Sequence, residues 1–341
     1  MFKAFRLTTL SLLLTTSLLS SAQSHDLFWL GADISGTTEL EARGDKLYNA
    51  KGELRENTAL MHELGLNAIR LRVWVNPAQG FCNPDDVLTM AKRAKYYGMP
   101  VMVDFHYSDW WADPSHQTIP ATWQYYKPDE LQHVLYQHTR HTLQLLRNAN
   151  IDVRWVQVGN ETTNGFIWPK ADAKEHMQTY AELTRSGYYA VKDVYPDAQV
   201  IIHIDCGADP QRFDFILDGL KQYGTKWDII GLSVYPYWDK QAGLTASTQE
   251  TLDKFAANII RMANKYGTDA IVVETGVLVA NPKEGKKELA DIINYARNHT
   301  NGHCHGVFYW APELEGQYPL GAFKDGKPTI IMDAFTEAAR Q

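Results

Sequence analysis

The sequence has few cysteines and no excess of basic charge, and each shortage excludes a class of protein. Three cysteines in 341 residues cannot build the disulfide framework that holds small secreted scaffolds together. The 33 Lys and Arg residues are outnumbered by 40 Asp and Glu residues, which gives a net charge of −7. A groove that binds nucleic acid needs a basic surface to neutralise phosphates, so we expect no nucleic-acid partner.

Nucleotide-binding turns and domain linkers are also missing. No Gly-x-Gly-x-x-Gly turn and no Walker A run occurs, and we expect no organic cofactor. After residue 27, no Ser/Gly linker, low-complexity run or internal repeat divides the chain. The simplest interpretation is therefore a single domain.

The first 22 residues form a pattern typical of a secretory signal peptide. Lys3 and Arg6 precede an uncharged, leucine-rich stretch over residues 7–19, and small residues follow at positions 20–22. A transmembrane anchor is the alternative, but Thr and Ser residues interrupt the stretch, which is short for a bilayer span of about 20 residues. The pattern predicts cleavage near Ala22 and a mature catalytic domain over residues 23–341, secreted or periplasmic and without a membrane partner.

The rest of the chain alternates short β-rich runs with longer segments in which apolar residues have helical spacing. The eight predicted strands cover residues 28–34, 68–75, 100–105, 153–158, 199–204, 228–234, 270–274 and 305–310. The predicted helices cover residues 54–64, 85–97, 129–148, 173–195, 213–223, 251–266, 287–299 and 329–339. Eight strands, each followed by a helix, predict an α/β fold of the (β/α)₈ TIM-barrel type. A doubly wound open sheet is the alternative, and the missing glycine-rich turn weakens it.

Two glutamates stand where predicted strands end, which is where (β/α)₈ barrels carry catalytic groups. Glu161 follows the strand over residues 153–158, and Glu274 closes the strand over residues 270–274. Across a barrel mouth, two such carboxylates can approach the roughly 5–5.5 Å separation of retaining glycosidases, in which one attacks the sugar and the other protonates the leaving oxygen. Arg70 is expected to keep one glutamate ionised and Tyr235 to hydrogen-bond the same oxygen. The alternative is that both glutamates only cap helices or pair with a lysine.

Several longer strings resemble glycoside hydrolase family 53, the endo-β-1,4-galactanases, within the clan of retaining (β/α)₈ glycosidases. They are GADIS at 31–35, RLRVWVNP at 70–77, DFHYSD at 104–109, WADP at 111–114, GNE at 159–161 and GFIWP at 165–169. Further similarity at residues 234–236, 272–275 and 308–310 extends the resemblance over the mature chain. The resemblance implies that Glu161 is the acid/base, Glu274 the nucleophile and β-1,4-galactan the substrate.

Aromatic rings at the strand ends are predicted to stack on sugars, because pyranose C–H faces pack against flat aromatic surfaces. Trp310 is the best candidate, since it closes the last strand beside the predicted nucleophile, whereas Trp74 and Trp155 lie in or near strands and are predicted to be core residues. Asp109 and Asp205 are assigned to sugar hydroxyls, with helix capping as the alternative. The residues predicted to bind substrate are Arg70, Asn160, His106, Asp109, Trp111, Trp168, Asp205, Tyr235 and Trp310.

Twelve histidines suggest a metal site, but their spacing does not support one. His138 and His141 share a helical face, and His303 and His305 flank Cys304, yet neither pair has a third ligand group in the sequence. The stretch over residues 277–302 also lacks clustered oxygen ligands for calcium. We therefore expect no bound metal and no other cofactor.

The predicted function is that of a monomeric endo-β-1,4-galactanase that acts on internal bonds of galactan polysaccharide or oligosaccharide by a retaining mechanism. One alternative is a related glycosidase for another β-linked polymer such as mannan or glucan. A second alternative is a catalytically idle carbohydrate-binding barrel, which would keep the aromatic residues but lose one carboxylate. The presence of both Glu161 and Glu274 counts against it.

Overall fold

The computed structural model describes residues 27–316 and 318–341. The predicted signal peptide over residues 1–22 lies outside the described residues. Within the described ranges, no helix combines the length and the apolar composition that a membrane span requires.

Eight parallel strands close into a barrel, with each strand paired to its neighbours in sequence and the last paired to the first. The strands are β1 (Trp29–Asp33), β2 (Ala68–Val73), β3 (Val101–Phe105), β4 (Val153–Val158), β5 (Gln199–Ile204), β6 (Ile229–Val234), β7 (Ala270–Thr275) and β8 (Cys304–Trp310). The predicted (β/α)₈ barrel is confirmed, and the open-sheet alternative is wrong.

Helices lie outside the barrel and in the loops above its carboxyl-terminal end. They are α1 (Thr37–Arg43), α2 (Asn57–Glu63), α3 (Pro84–Tyr96), α4 (Pro128–Asn148), α5 (Met177–Val194), α6 (Pro210–Gln222), α7 (Pro236–Gln241), α8 (Thr248–Tyr266), α9 (Pro282–Asn298) and α10 (Asp333–Ala338). Helices α3, α4, α6 and α9 begin at proline, which lacks an N–H group and is tolerated in a first turn. Their predicted starts are late because the apolar pattern begins after the proline.

Three helices differ from the predicted ones. Helices α1 and α7 are not predicted, because their 7 and 6 residues are too few to show an apolar period. The predicted start of α2 at residue 54 is wrong, since Leu54–Arg55 pairs with Leu47–Tyr48 in a small antiparallel hairpin. The helix starts only after Glu56, whose side chain caps it by accepting the Ala59 N–H.

Side chains alternate between two separate apolar cores. Ile69 and Leu71 of β2 point outward into the large core between barrel and helices, whereas Ala68 points inward. The inner core fills the amino-terminal half of the barrel and consists of Ala68, Met102, Trp155, Ile201, Ile229, Ile271, Val273 and Phe308, with Trp29 packed against it. The inward positions above this inner core are polar, and they form the floor of a cleft.

Candidate active site

A layer of polar side chains occupies the inward positions near the carboxyl-terminal ends of the strands. On β2 and β3 each polar position lies two residues after an apolar position on the same inward face. Arg70 comes two residues after Ala68, and Asp104 two residues after Met102. The layer is buried, although its groups are charged or polar. Its members are Asp33, Arg70, Asp104, Gln157, His203, Ser233 and Glu274.

A β-bulge places Glu274 in this layer. Ile271 and Val273 belong to the inner core and Val272 to the outer core, so strict alternation would point Glu274 outward. The pairing with β6 shifts here, since Leu232 is opposite Val272 but Ser233 is opposite Glu274. The extra residue on β7 turns Glu274 inward, as bulges near active sites commonly do.

Arg70 is the cation at the centre of the layer. Its Nη1 contacts Asp33 at 2.8 Å, and its Nη2 contacts Asp104 at 2.9 Å and Glu274 at 2.8 Å. Its Nε donates to Gln157 at 2.7 Å. Burial alone would lower the pKa of Arg70, but the surrounding carboxylates raise it, so the guanidinium stays charged. The predicted contact between Arg70 and one glutamate is therefore present in the structure.

Tyr235 holds the other oxygen of Glu274. Its hydroxyl donates to Glu274 Oε2 at 3.1 Å. Burial raises the pKa of Tyr235 well above its ordinary value, and the nearby negative charges raise it further, so the phenol keeps its proton and remains a donor. Both oxygens of Glu274 are thus contacted by groups that stabilise a carboxylate.

Glu161 lies in a sharp turn after β4. Gly159 and Glu161 have φ values of +97° and +45°, and the second is unusual for a residue with a side chain. A conformation of this kind costs about 1–3 kcal/mol and is common at functional sites. Glu161 Oε1 accepts a hydrogen bond from Ser233 at 2.5 Å.

His203 orients this hydrogen bond. Its Nε2 lies 2.9 Å from Ser233 Oγ, and its Nδ1 accepts from Gln157 Nε2 at 2.8 Å and from the main-chain N–H of Glu161 at 3.2 Å. Burial lowers the pKa of His203 well below its ordinary value, and Arg70 lowers it further, so the ring is neutral. With the proton on Nε2, the ring donates to Ser233, whose hydroxyl then donates to Glu161.

The two glutamates differ in protonation. Burial raises the pKa of Glu161 well above its ordinary value, and the charges of Glu274 and Asp205 raise it further. Burial also raises the pKa of Glu274, to about 7, although Arg70 lowers it. Arg70 contacts Glu274 directly, so a proton shared by the pair rests on Glu161. One carboxyl is then an acid and the other a potential nucleophile.

Both glutamates line a cleft of about 480 Å³ at the carboxyl-terminal end of the barrel. Trp310 and Tyr318 also line it, as do Asp205, Trp238 and Asp239. The predicted positions of Asp205, Tyr235 and Trp310 around the glutamates therefore agree with the geometry. The cleft is polar at its floor and aromatic at its rim, which suits an uncharged sugar chain.

Trp111 stands behind Trp310 in an aromatic cluster. The two rings are 5.6 Å apart between centroids, and the Arg72 guanidinium lies 3.9 Å from the centroid of Trp111. Trp111 is half-buried and does not line the cleft that holds the glutamates. Trp74 is buried, as the sequence predicts for a core residue, but it also donates from Nε1 to His106 at 3.2 Å.

Two predicted substrate-binding residues lie below the cleft surface. His106 Nε2 lies 3.0 Å from Asp104, and its Nδ1 accepts from the main-chain N–H of Ala112 at 3.0 Å. Asn160 accepts from Arg70 at 2.8 Å and donates to the carbonyl oxygen of Ala112 at 2.8 Å. The structure therefore places both residues as supports of the polar layer rather than on the exposed wall.

Two other predicted substrate-binding residues do not reach the glutamates. The Asp109 carboxylate accepts from the main-chain N–H groups of Asn76 and Ala121, at 3.0 and 2.9 Å, and so joins two separate segments of the chain. Trp168 donates from Nε1 to the carbonyl oxygen of Asn164 at 2.9 Å and does not line the cleft that holds the glutamates. Both lie in βα loops, where sequence position does not fix the direction of a side chain.

The predicted site lacks Asp33, Asp104, His203 and Ser233, which belong to the polar layer. Asp33 and Asp104 lie within strings that resemble the family, and His203 and Ser233 lie near strand ends, so position alone marks all four as candidates. The signal that identifies them is the alternation of inward-facing and outward-facing side chains along each strand. Each occupies an inward position of its strand, and the inward set becomes visible only once the barrel register is known.

The histidine pair at the start of the last strand, with His303 just before it, lies at the opposite end of the barrel. His303 Nδ1 and His305 Nε2 contact the Asp269 carboxylate at 2.8 and 2.7 Å. Across residues 27–316 and 318–341, no group of three or more His, Cys, Asp or Glu side chains is arranged to hold a metal ion. Cys82, Cys206 and Cys304 are unpaired.

Comparison with known proteins gives a consistent result. The sequence profile described as "Glycosyl hydrolase family 53" matches residues 29–327. The "Probable arabinogalactan endo-beta-1,4-galactanase A" of Aspergillus fumigatus is 35% identical over 97% of this chain and 96% of its own length. The "Arabinogalactan endo-beta-1,4-galactanase" of Thermothelomyces thermophilus is 32% identical over 87% of this chain and 92% of its own length. A solved structure from a study of two fungal β-1,4-galactanases has a TM-score of 0.82 and 29% identity, covering 91% of this chain and 99% of that one.

Proposed function

The chain belongs to glycosyl hydrolase family 53 and is a glycoside hydrolase, and on this basis we propose that it cleaves internal β-1,4-galactosidic bonds of galactan with retention of anomeric configuration. The observation that carries the proposal is the unequal pair of glutamates. Glu274 is contacted by Arg70 and Tyr235, whereas Glu161 is contacted by Ser233, and burial and the charge of Glu274 raise its pKa well above the ordinary value. A retaining glycosidase needs this difference between its two carboxyls.

In the first step, the Glu274 carboxylate attacks the anomeric carbon while the glycosidic C–O bond breaks. Glu161 gives its proton to the departing oxygen, so the leaving sugar departs with a hydroxyl group. The products of this step are a galactosyl ester of Glu274 and an ionised Glu161. The Ser233 hydrogen bond occupies Glu161 Oε1 and leaves Oε2 as the oxygen that carries the proton.

In the second step, water loses a proton to Glu161 and attacks the same carbon from the opposite side. The ester bond to Glu274 breaks, and both glutamates return to their starting protonation states. Arg70 stabilises the negative charge that returns to Glu274 as the ester breaks. His106 and Asn160 position Asp104 and Arg70 beneath the cleft.

The other parts of the proposal come from the sequence. We infer that residues 1–22 are a cleaved signal peptide, that residues 23–341 form one catalytic domain and that the enzyme acts outside the cytoplasm as a monomer. The galactan substrate is supported by the names of the fungal relatives. The half-buried ring of Trp310 in the cleft lining supports a chain of neutral sugars as ligand.

The direct test is the release of reducing ends from linear β-1,4-galactan, compared with β-mannan and β-glucan. Glu274→Ala should lower turnover of galactan by about 10⁴-fold or more, because it removes the nucleophile and the two glutamates act together. Glu161→Ala should lower turnover of galactan by about 10²–10⁴-fold but spare substrates with good leaving groups such as dinitrophenol. Glu175→Ala, an exposed glutamate away from the cleft, is the control.

Three results would contradict the proposal. Faster hydrolysis of mannan or glucan than of galactan would assign a different substrate. Normal turnover by Glu274→Ala would exclude its role as the nucleophile. An equal loss for dinitrophenyl glycosides and galactan in Glu161→Ala would exclude its role as the acid.

A further inference from the structure

A second buried polar cluster lies beside the Arg70 layer and takes no part in the two-step reaction. It consists of Asn57 at the start of α2, Arg72 near the end of β2 and Glu313 in the loop after β8. The buried atoms Asn57 Oδ1, Arg72 Nε and Glu313 Oε2 find no hydrogen-bond partner among the described residues. Unpartnered buried groups are costly, so three of them in one cluster require an explanation.

Arg72 is a buried guanidinium with no close carboxylate among the described residues. Asp33 Oδ1 lies 4.0 Å from its Nη1, and that oxygen already accepts from the hydroxyl of Ser35 at 2.6 Å. Two indole rings lie against the guanidinium instead, with its central carbon 3.9 Å from the centroid of Trp111 and 4.9 Å from that of Trp74. Arg72 is therefore held largely by cation–π contacts, which are strongest for a desolvated cation.

These contacts connect Arg72 to the wall of the cleft. The ring of Trp111 packs against Trp310 with 5.6 Å between centroids, and Trp310 lines the cleft that holds the glutamates. Trp111 thus supports Trp310 from outside the cleft, and Arg72 lies on the face of Trp111. If the guanidinium left this face, the support would weaken and Trp310 would lose a fixed orientation toward a bound sugar.

Glu313 lies near Arg72 without forming an ion pair with it. Its side chain is 3% exposed, and burial raises its pKa to about 8, with a further contribution from the charge of Asp33. Below this pH the carboxyl is neutral and carries a proton that it can donate. The Asn57 side chain adjoins the carboxyl, and its amide nitrogen donates to Thr37 at 2.9 Å, which leaves Oδ1 as an acceptor. A neutral Glu313 also has no net charge to draw Arg72 away from the indole rings.

The other ionisable groups that face this cluster keep their charge between pH 7 and pH 9.5. Asp33 of β1 forms an ion pair with Arg70 at 2.8 Å. Cys82, in the loop before α3, faces Arg72, and burial raises the pKa of its thiol to about 11. Glu313 is therefore the member of this cluster whose charge changes in that range.

We propose that Glu313 is a positioning residue: as a neutral acid it donates to Asn57 and leaves Arg72 on the face of Trp111, whereas as a carboxylate it draws Arg72 away and loosens Trp310. This inference deepens the proposed function and rests on it, because its consequence is measured as sugar binding in the cleft. It places a control of the cleft wall outside the pair of glutamates.

Binding of galactotetraose to an inactive variant separates this effect from catalysis. Glu161→Gln combined with Glu274→Gln removes both titrating glutamates, and calorimetry then gives Kd between pH 7 and pH 9.5. The Kd should rise by about three- to tenfold over this range, the size expected for a weakened aromatic contact. Addition of Glu313→Gln, which has the shape and a donor of the neutral acid, should give the pH 7 value of Kd at every pH.

Two further variants test whether the effect passes through the aromatic rings. Trp111→Ala in the same inactive variant should weaken binding at pH 7 and remove the pH dependence, although Glu313 is intact. Glu288→Gln is the matched control, because burial also raises the pKa of this half-buried carboxyl on α9, which does not line the cleft. It should leave Kd equal to that of the inactive variant throughout the pH range.

The pH dependence of stability tests the neutral acid without any substrate. A carboxyl whose pKa is raised by folding stabilises the fold at low pH, and this contribution is lost as pH rises through the raised value. Glu313→Gln cannot ionise, so its Tm relative to that of the wild type should increase from pH 5 to pH 9.

The possible failures can be told apart. If the wild-type enzyme does not cleave galactan, the proposed function is wrong, and the Tm series still decides whether Glu313 is a neutral acid. If galactan is cleaved but the Kd of the inactive variant is constant with pH, or still changes after Glu313→Gln or Trp111→Ala, only the inference is wrong. A Tm difference that stays constant from pH 5 to pH 9 would also overturn the inference.

Discussion

The two halves of the barrel interior are built on the same strands and yet differ in chemistry. In the amino-terminal half, Met102 and Ile201 pack in an apolar core. Two residues further along the same strands, Asp104 and His203 are equally buried but polar. The lower half is stabilised mainly by burial of apolar surface. The upper half must satisfy charges that have been removed from water, which is costly unless each is paired.

The comparison explains why the upper half depends on a few residues. In the lower half each side chain contributes through packing, so its loss leaves a cavity of limited cost. In the upper half, Arg70 serves three carboxylates at once, and the position of Glu274 depends on this contact. A region that carries chemistry is thus less tolerant of substitution than a region that only fills space, even at the same depth of burial.

Of the substitutions considered, removal of Arg70 from the upper half should produce the largest loss of stability and activity. Arg70→Leu leaves Asp33, Asp104 and Glu274 without their shared cation, and we expect the free energy of unfolding to fall by about 3–5 kcal/mol. Hydrolysis by the remaining folded enzyme should fall as well, because the pKa of Glu274 rises when the guanidinium is absent. Urea unfolding and galactan assays measure the two effects. Arg70→Lys keeps the charge but not the planar fork, so its free energy of unfolding should lie between those of the wild type and Arg70→Leu. An Arg70→Leu variant as stable as the wild type would contradict this role of Arg70.

A cavity in the lower half should affect stability without affecting chemistry. Ile271→Ala removes buried methyl groups from the inner core and should lower the free energy of unfolding by about 2–5 kcal/mol. Ile271→Val is the matched control, with an expected loss of about 0.5–1.5 kcal/mol. Both variants should keep wild-type kcat on galactan when assayed well below Tm. A loss of kcat by tenfold would show that the two halves are coupled.

The smallest effect concerns the pH dependence of stability. The folded-state pKa of Glu161 is raised, so ionisation of this carboxyl destabilises the fold progressively as pH rises above the ordinary carboxyl pKa and through the raised value. Glu161→Gln cannot ionise, and it should have a higher Tm than the wild type at pH 8 and an equal Tm at pH 4. Glu175→Gln should show no such trend. A Tm difference that grows toward low pH would reverse the sign and refute the raised pKa.

The barrel and its two glutamates were predictable because their signals are local. Alternation of β-rich and helical segments follows from residue spacing alone, and the strand ends follow from that alternation. The resemblance to the family then assigned the glutamates, and the family is confirmed. The weaker predictions concern loops. Asp109 and Trp168 carry suitable groups for sugar binding, but their hydrogen bonds to main-chain groups turn them away from the cleft.

The sequence by itself determined the fold class and the family, and it proposed the two carboxyls that the structure brings to one cleft. The tertiary structure alone decided which groups surround them. Strict alternation would turn Glu274 away from the barrel axis, and only the bulge against β6 turns it inward. The contacts of Glu161 with Ser233 and of Ser233 with His203 join residues 72 and 30 positions apart. Residue spacing predicts local periodicity, whereas the register between strands sets such contacts, because it depends on how every neighbouring strand packs.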